Sequence, residues 1–173
     1  YAAAAAAWEQ FIPQYPDDDR LPDAQLMAAR AYHATNEWQK ALPYYEAYLA
    51  ARSVLADMVY GWIGDAHAAL AEGSADREAG LKEAIAAYRL AVQAVPARSA
   101  RVGLLEKIAG VYVALGDHEA AVAEYDAILA VARIDGYRAR IEYQAGQALE
   151  AAGQVEAAHA RYRRAIDRYP QEE

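Results

Sequence analysis

The stretch RVGLLEKIAGVYVALGDHEAAVAEYDAILAV, Arg101–Val131, reads as two helices with a turn written between them. Leu105, Ile108, Ala109 and Tyr112 recur at helical spacing through Arg101–Leu115. Gly116 then suits a left-handed helix end and Asp117 the start of a new helix. Over His118–Val131 a second stripe holds Ala121, Tyr125 and Ile128.

Working outward, the same phrase recurs. Ala4-x-x-x-Trp8, Ala41-x-x-x-Tyr45, Ala84-x-x-x-Tyr88, Ala121-x-x-x-Tyr125 and Ala158-x-x-x-Tyr162 align, with steps of 37, 43, 37 and 37 residues between the alanines. A fixed period of this size marks a solenoid, whose repeats bury their apolar faces by stacking on neighbours. The expected layout is one all-α domain over 1–173, with a half repeat at 1–16 and full repeats at 21–53, 56–96, 99–133 and 137–170. The fourth repeat places Gly146 and Leu149 on its first helix, turns at Gly153, and continues with Ala158, Tyr162, Ala165 and Ile166 until Pro170 stops it. The first full repeat opens at Leu21-Pro22, where proline suits a first helical turn, and turns at Asn36, a good N-cap. Pro43 predicts a kink or a late helix start. In the second repeat Gly64 to Ala84 spans 20 residues where Ala109 to Ala121 spans 12. The surplus is about two helical turns. It predicts a protruding hairpin with its tip at Glu72–Asp76; a disordered loop over Leu70–Glu83 is the alternative.

Composition agrees with packed helices. The chain has 173 residues, 56% of them hydrophobic, rich in alanine and tyrosine. Its net charge of -8 disfavours nucleic acid as the main ligand. It has no run of ~20 apolar residues to span a membrane. The absence of cysteine removes disulfides, thiolate metal sites and cysteine nucleophiles, and leaves the compartment open. The Ala2–Ala7 run flows into Trp8, Phe11 and Ile12 and reads as a packed helix, not as a targeting peptide. The truncated first repeat and the stop after Tyr169-Pro170 are expected of a piece of a longer protein.

Residues that could carry chemistry are few. His33, His67, His118 and His159 share no helix face at ligand spacing, so no metal is expected. Ser53, Ser74 and Ser99 read as loop or cap residues, and no glycine-rich loop follows a strand. Asp17-Asp18-Asp19 with Asp23 lacks the spacing of a calcium loop and reads as a solvated link before a helix. Tyr45, Tyr88, Tyr125 and Tyr162 read as equivalent core positions, each needing one hydroxyl partner. No catalytic residues and no cofactor are expected.

The small residues at helix crossings (Ala29, Gly64, Ala109 and Gly146 against Ala41, Ala84, Ala121 and Ala158), the aromatics Tyr32 and Tyr112, and the Gly-Asp turn resemble the tetratricopeptide repeat over essentially the whole chain. The period departs from the usual 34 of that family. The resemblance implies a right-handed α-α superhelix of about nine helices whose first helices line a concave surface. Its outward stripe would hold Leu26, Arg30 and His33; Met58 and Asp65; Glu106 and Val113; and Arg140, Tyr143, Gln147 and Glu150. The family's Lys/Asn carboxylate clamp is not assembled, because Arg30, Asp65, Gly110 and Gln147 stand in its places. A peptide- or helix-binding protein-interaction module is the expected function. The phrases Tyr15-Pro16 and Tyr169-Pro170 resemble bacterial cell-envelope members, which points to an extracytoplasmic location with the cytoplasm still open. Two other readings also stand: a non-catalytic arm of a cell-wall lytic transglycosylase, and a scaffold that self-associates through exposed repeat ends.

Overall fold

A computed structural model describes residues 1–169, with Arg98 and Ser99 described by their backbone. The described residues form nine α-helices and no strand: α1 (Ala2–Phe11), α2 (Leu21–Ala34), α3 (Trp38–Ala51), α4 (Ala56–Glu72), α5 (Arg77–Ala94), α6 (Val102–Leu115), α7 (His118–Val131), α8 (Asp135–Ala151) and α9 (Val155–Arg168). Short 3-10 turns follow α1 and precede α6. The helices pair as α2 with α3, α4 with α5, α6 with α7 and α8 with α9, which are the four full repeats. They divide into an N-terminal body, Tyr1–Ala94, and a C-terminal body that begins at Val95.

Close crossing explains the alanines and glycines. Ala29, Ala41, Ala84, Ala109, Ala121 and Ala158 are buried. At Gly64 a Cβ would run into the ring of Tyr88, and at Gly146 into the ring of Tyr162. In both repeats the aromatic of the second helix lies directly on the backbone of the first. Tyr45, Tyr88 and Tyr125 are buried, as expected for core tyrosines, whereas Tyr162, expected with them, is half-buried.

Three of the turns share one device. Asn36 (φ 60), Gly116 (φ 77) and Gly153 (φ 77) are left-handed. The next N–H in each case turns back to the helix: Glu37 to the Tyr32 carbonyl, Asp117 to that of Tyr112, Gln154 to that of Leu149. This satisfies carbonyls that a helix end leaves orphaned. Asn36 therefore closes α2; the expected N-cap role falls to Glu37, because asparagine tolerates the left-handed region. Asp117 caps α7 as expected, accepting from Ala120 N at 3.1 Å.

The long second repeat is helical on both sides. With 17 and 18 residues against 14 and 14 in the third repeat, α4 and α5 each gain about one turn, and Gly73–Asp76 join them. The disordered alternative is thereby corrected. The late start expected at Pro43 does not occur, since α3 begins at Trp38 and carries Pro43 inside it, on an exposed face where water can serve the carbonyl left without a donor. Pro170, the expected stop for α9, lies outside the described residues.

Links are held by side chains reaching carbonyls and carboxylates. Arg52 bonds Asp23 and the Asp19 carbonyl, while Asp18 pairs with Arg20. That pairing holds the Asp18 carboxyl down to about 2. Arg138 donates to the Leu129 and Ala132 carbonyls at the end of α7 and to the Tyr169 hydroxyl. Inside the C-terminal body, Arg161 of α9 reaches Glu142 of α8 at 3.1 Å and Asp126 of α7 at 2.6 Å. Glu142 is only 3% exposed, so Arg161–Glu142 is a buried pair between α8 and α9, with half-exposed Asp126 adding a contact to α7.

Candidate functional site

The expected stripe divides between the two bodies. In the N-terminal body Leu26 is buried in the cluster that also holds Ala5 of α1, so it offers no surface to a ligand and is removed from the candidate set. Arg30 is exposed and lays its guanidinium 4.1 Å over the Trp62 ring, which stacks on Tyr45. His33 is half-buried, with Nδ1 3.1 Å from the Tyr45 hydroxyl and its ring edge-on to Trp38. Met58 is exposed. Asp65 accepts the Tyr88 hydroxyl at 2.7 Å. An open hollow of about 370 Å³ beside Arg30 and His33 is walled by Trp8 and Met27.

In the C-terminal body the stripe runs along α6 and α8. Glu106 accepts from Arg140 at 2.5 Å and from the Tyr137 hydroxyl at 2.9 Å, which ties the two helices together. Arg140, and then Tyr137, holds the Glu106 carboxyl below its usual range against a partial burial that works the other way. Burial, with Glu106 second, pushes Tyr137 up to about 12. Tyr143 is 52% exposed and Val113 42%, so apolar surface accompanies the ion pair on this face. Gln147 and Glu150 are exposed, and Glu150 accepts the Tyr162 hydroxyl at 2.7 Å. That bond, ahead of burial, raises Tyr162 to about 12.

Three candidate ligand contacts, His33, Asp65 and Glu150, thus hold tyrosine hydroxyls inside their own repeats. The sequence offered a signal: His33 and Glu150 each stand twelve residues before the tyrosine they meet. Twelve residues before Tyr125 stands Val113. Among the described residues the Tyr125 hydroxyl has no hydrogen-bond partner, contrary to the expectation that each core tyrosine finds one.

No group of His, Asp and Glu that could hold a metal ion occurs among the described residues. None of the described helices is long and apolar enough to cross a membrane. His159 is exposed and His67 half-buried, as expected.

Paired antiparallel helices, small residues at each crossing and a repeat of this period define a helical-repeat solenoid with a surface stripe on its first helices. Residues 101–171 and 23–51 match two family models, both described as tetratricopeptide repeat. The chain belongs to the tetratricopeptide-repeat family. Repeats of this family are generally non-catalytic scaffolds that bind protein partners. The fold is similar to a crystal structure of MamA (TM-score 0.71, 17% identity, 94% of this chain and 85% of that one). It is also similar to TTC0263, a thermophilic TPR protein in Thermus thermophilus (TM-score 0.57, 25% identity, 99% and 84%). BtubC from P. vanneervenii is a further structural relative (TM-score 0.61, 15% identity, 94% and 70%). No curated protein matches the chain by sequence.

Proposed function

We propose that this chain is a non-catalytic protein-interaction module. It holds a peptide or a short helix of a partner protein against the outward stripe of its first helices, chiefly α6 and α8. The observation that carries this reading is the face formed by Val113, Tyr143, Gln147 and the Glu106–Arg140 pair. Exposed apolar side chains flank a charged pair whose geometry is already set, and a bound segment would not have to order it. A half-exposed tyrosine on a rigid helix is a favourable anchor, combining large contact area with few torsions to immobilise. On the N-terminal body, Arg30, His33, Met58 and Asp65 form a second stretch of the same kind, with Arg30 already oriented by Trp62.

The test uses peptides selected from a random displayed library against the intact chain. Their affinity is then measured for Tyr143→Ala, Arg140→Ala and Arg30→Ala, with thermal unfolding as the folding control. Loss of at least tenfold in the α8 variants supports the reading. Affinity unchanged in all three, with folding intact, removes it.

A further inference from the structure

An open hollow of about 290 Å³ lies in the C-terminal body among α6, α7 and α8. Its wall includes Gly110 and Val113 of α6, His118 and Tyr125 of α7, and Gln144 and Gln147 of α8. Among the described residues His118 Nδ1 and Gln144 Oε1 are buried without a hydrogen-bond partner. Buried polar atoms in native proteins are nearly always paired, so two orphans on one hollow require a reason. The Tyr125 hydroxyl is a third group without a partner among the described residues.

The other repeats supply that reason. At the position of Val113 the first repeat has His33 and the fourth has Glu150, and each meets its own tyrosine hydroxyl. At the position of Gly110 the second repeat has Asp65, which takes the Tyr88 hydroxyl, and the fourth has Gln147. The third repeat alone places glycine and valine there. A Cβ at Gly110 would meet nothing within 4 Å. The polar groups that close the other repeats are missing here, and space stands in their place.

We infer that this hollow binds an amide group of a protein ligand. The amide N–H donates to Gln144 Oε1, and its carbonyl accepts from His118 or the Tyr125 hydroxyl. No Asp, Glu, Lys or Arg is among the residues described as lining the hollow, and the nearby Glu106 and Arg140 act on Tyr125 with opposite signs, so an ammonium or a carboxylate would meet no counter-charge in the wall itself. A neutral group with a donor and an acceptor in one plane matches what the wall offers. The Gln144 amide turns about its soft terminal torsion to present its oxygen. The inference rests on the interaction-module reading and specifies what part of the partner enters this site.

The probes are propionamide, a side-chain-like carboxamide, and N-methylacetamide, a main-chain-like peptide group. Propionate and propylammonium serve as charged counterparts. Each is titrated into the labelled chain while the Gln144 side-chain NH₂ and His118 ring signals are followed by NMR. A saturable shift with an amide and none with the ions is expected, and the stronger amide identifies side chain or main chain as the source. Val113→Glu, which copies the fourth repeat, and Gly110→Gln, which fills the hollow, should each weaken the response at least tenfold. Gln144→Met should do the same. Absence of a saturable amide shift overturns the inference, as does a shift unchanged in variants that remain folded. The selected peptides separate the two readings. If they lose affinity with Tyr143→Ala but not with Gln144→Met, the groove stands and the amide site falls. If propionamide binds and no peptide does, the reverse holds.

Discussion

The third and fourth repeats have the same fold and opposite surfaces. In the fourth, Gln147 and Glu150 occupy the outward positions of α8, Glu150 holds the Tyr162 hydroxyl, and Tyr162 lies on Gly146. Behind them Arg161 joins Glu142 to Asp126. In the third, the matching positions are Gly110 and Val113, and His118 Nδ1 is left without a partner among the described residues, as is Gln144 Oε1 on α8 across the same hollow. The fourth repeat holds its tyrosine hydroxyl internally, and the third leaves Tyr125 at a hollow that Gln144 of α8 helps to wall.

The largest expected effect strikes the closed side. Arg161→Met leaves buried Glu142 opposed, among the described residues, by Arg164 alone at 3.8 Å. Breaking a buried pair from one side costs ~3–5 kcal/mol. Urea unfolding followed by far-UV circular dichroism should show a loss of that order, and a loss near zero would mean the pair is solvated. Gly146→Ala comes next. Its methyl meets the Tyr162 ring, and overpacking of this kind costs ~1–3 kcal/mol.

On the open side the sign reverses. Gly110→Ala should stabilise by about 0.5–1 kcal/mol, because alanine is the better helix former and its Cβ meets open space. If the variant is instead destabilised, the hollow is not open as described. The smallest effect is an alkaline titration. Tyr162 is raised to about 12 in the fold, chiefly by its bond to Glu150, whereas a free tyrosine ionises near ~10. The stability linked to this shift is whole below about pH 10 and disappears as pH rises through about 12. Glu150→Gln should lower that pKa toward the free value in an absorbance titration of the tyrosinates.

Much of this comparison was legible in the sequence. The alanine-to-tyrosine spacing marked the four pairs of helices, because a helix crossing admits only small residues wherever it recurs. The eight surplus residues of the second repeat read correctly as helix, since whole turns keep both faces in register. Pairing in the third dimension was less visible. Periodicity assigns Leu26 to the outward stripe of α2 but carries no information that α1 comes to cover it. Pro43 reads as a helix breaker, yet its position on an exposed face makes the lost bond tolerable. Asn36 has the side chain of an N-cap, and its positive φ assigned it to the end of α2. The open site was half legible: Val113 and Gln147 stood in the candidate set, while His118, Tyr125 and Gln144 entered only once their missing partners could be seen.

The central claim is that the stripe on α6 and α8 is the surface offered to a partner. Titrating the labelled chain with a library-selected peptide and mapping the shifts by residue tests it directly. Shifts concentrated at Val113, Tyr143 and Gln147, and lost in Tyr143→Ala, are the predicted result. Shifts confined to the outer faces of α7 and α9, with α6 and α8 unmoved, would contradict it.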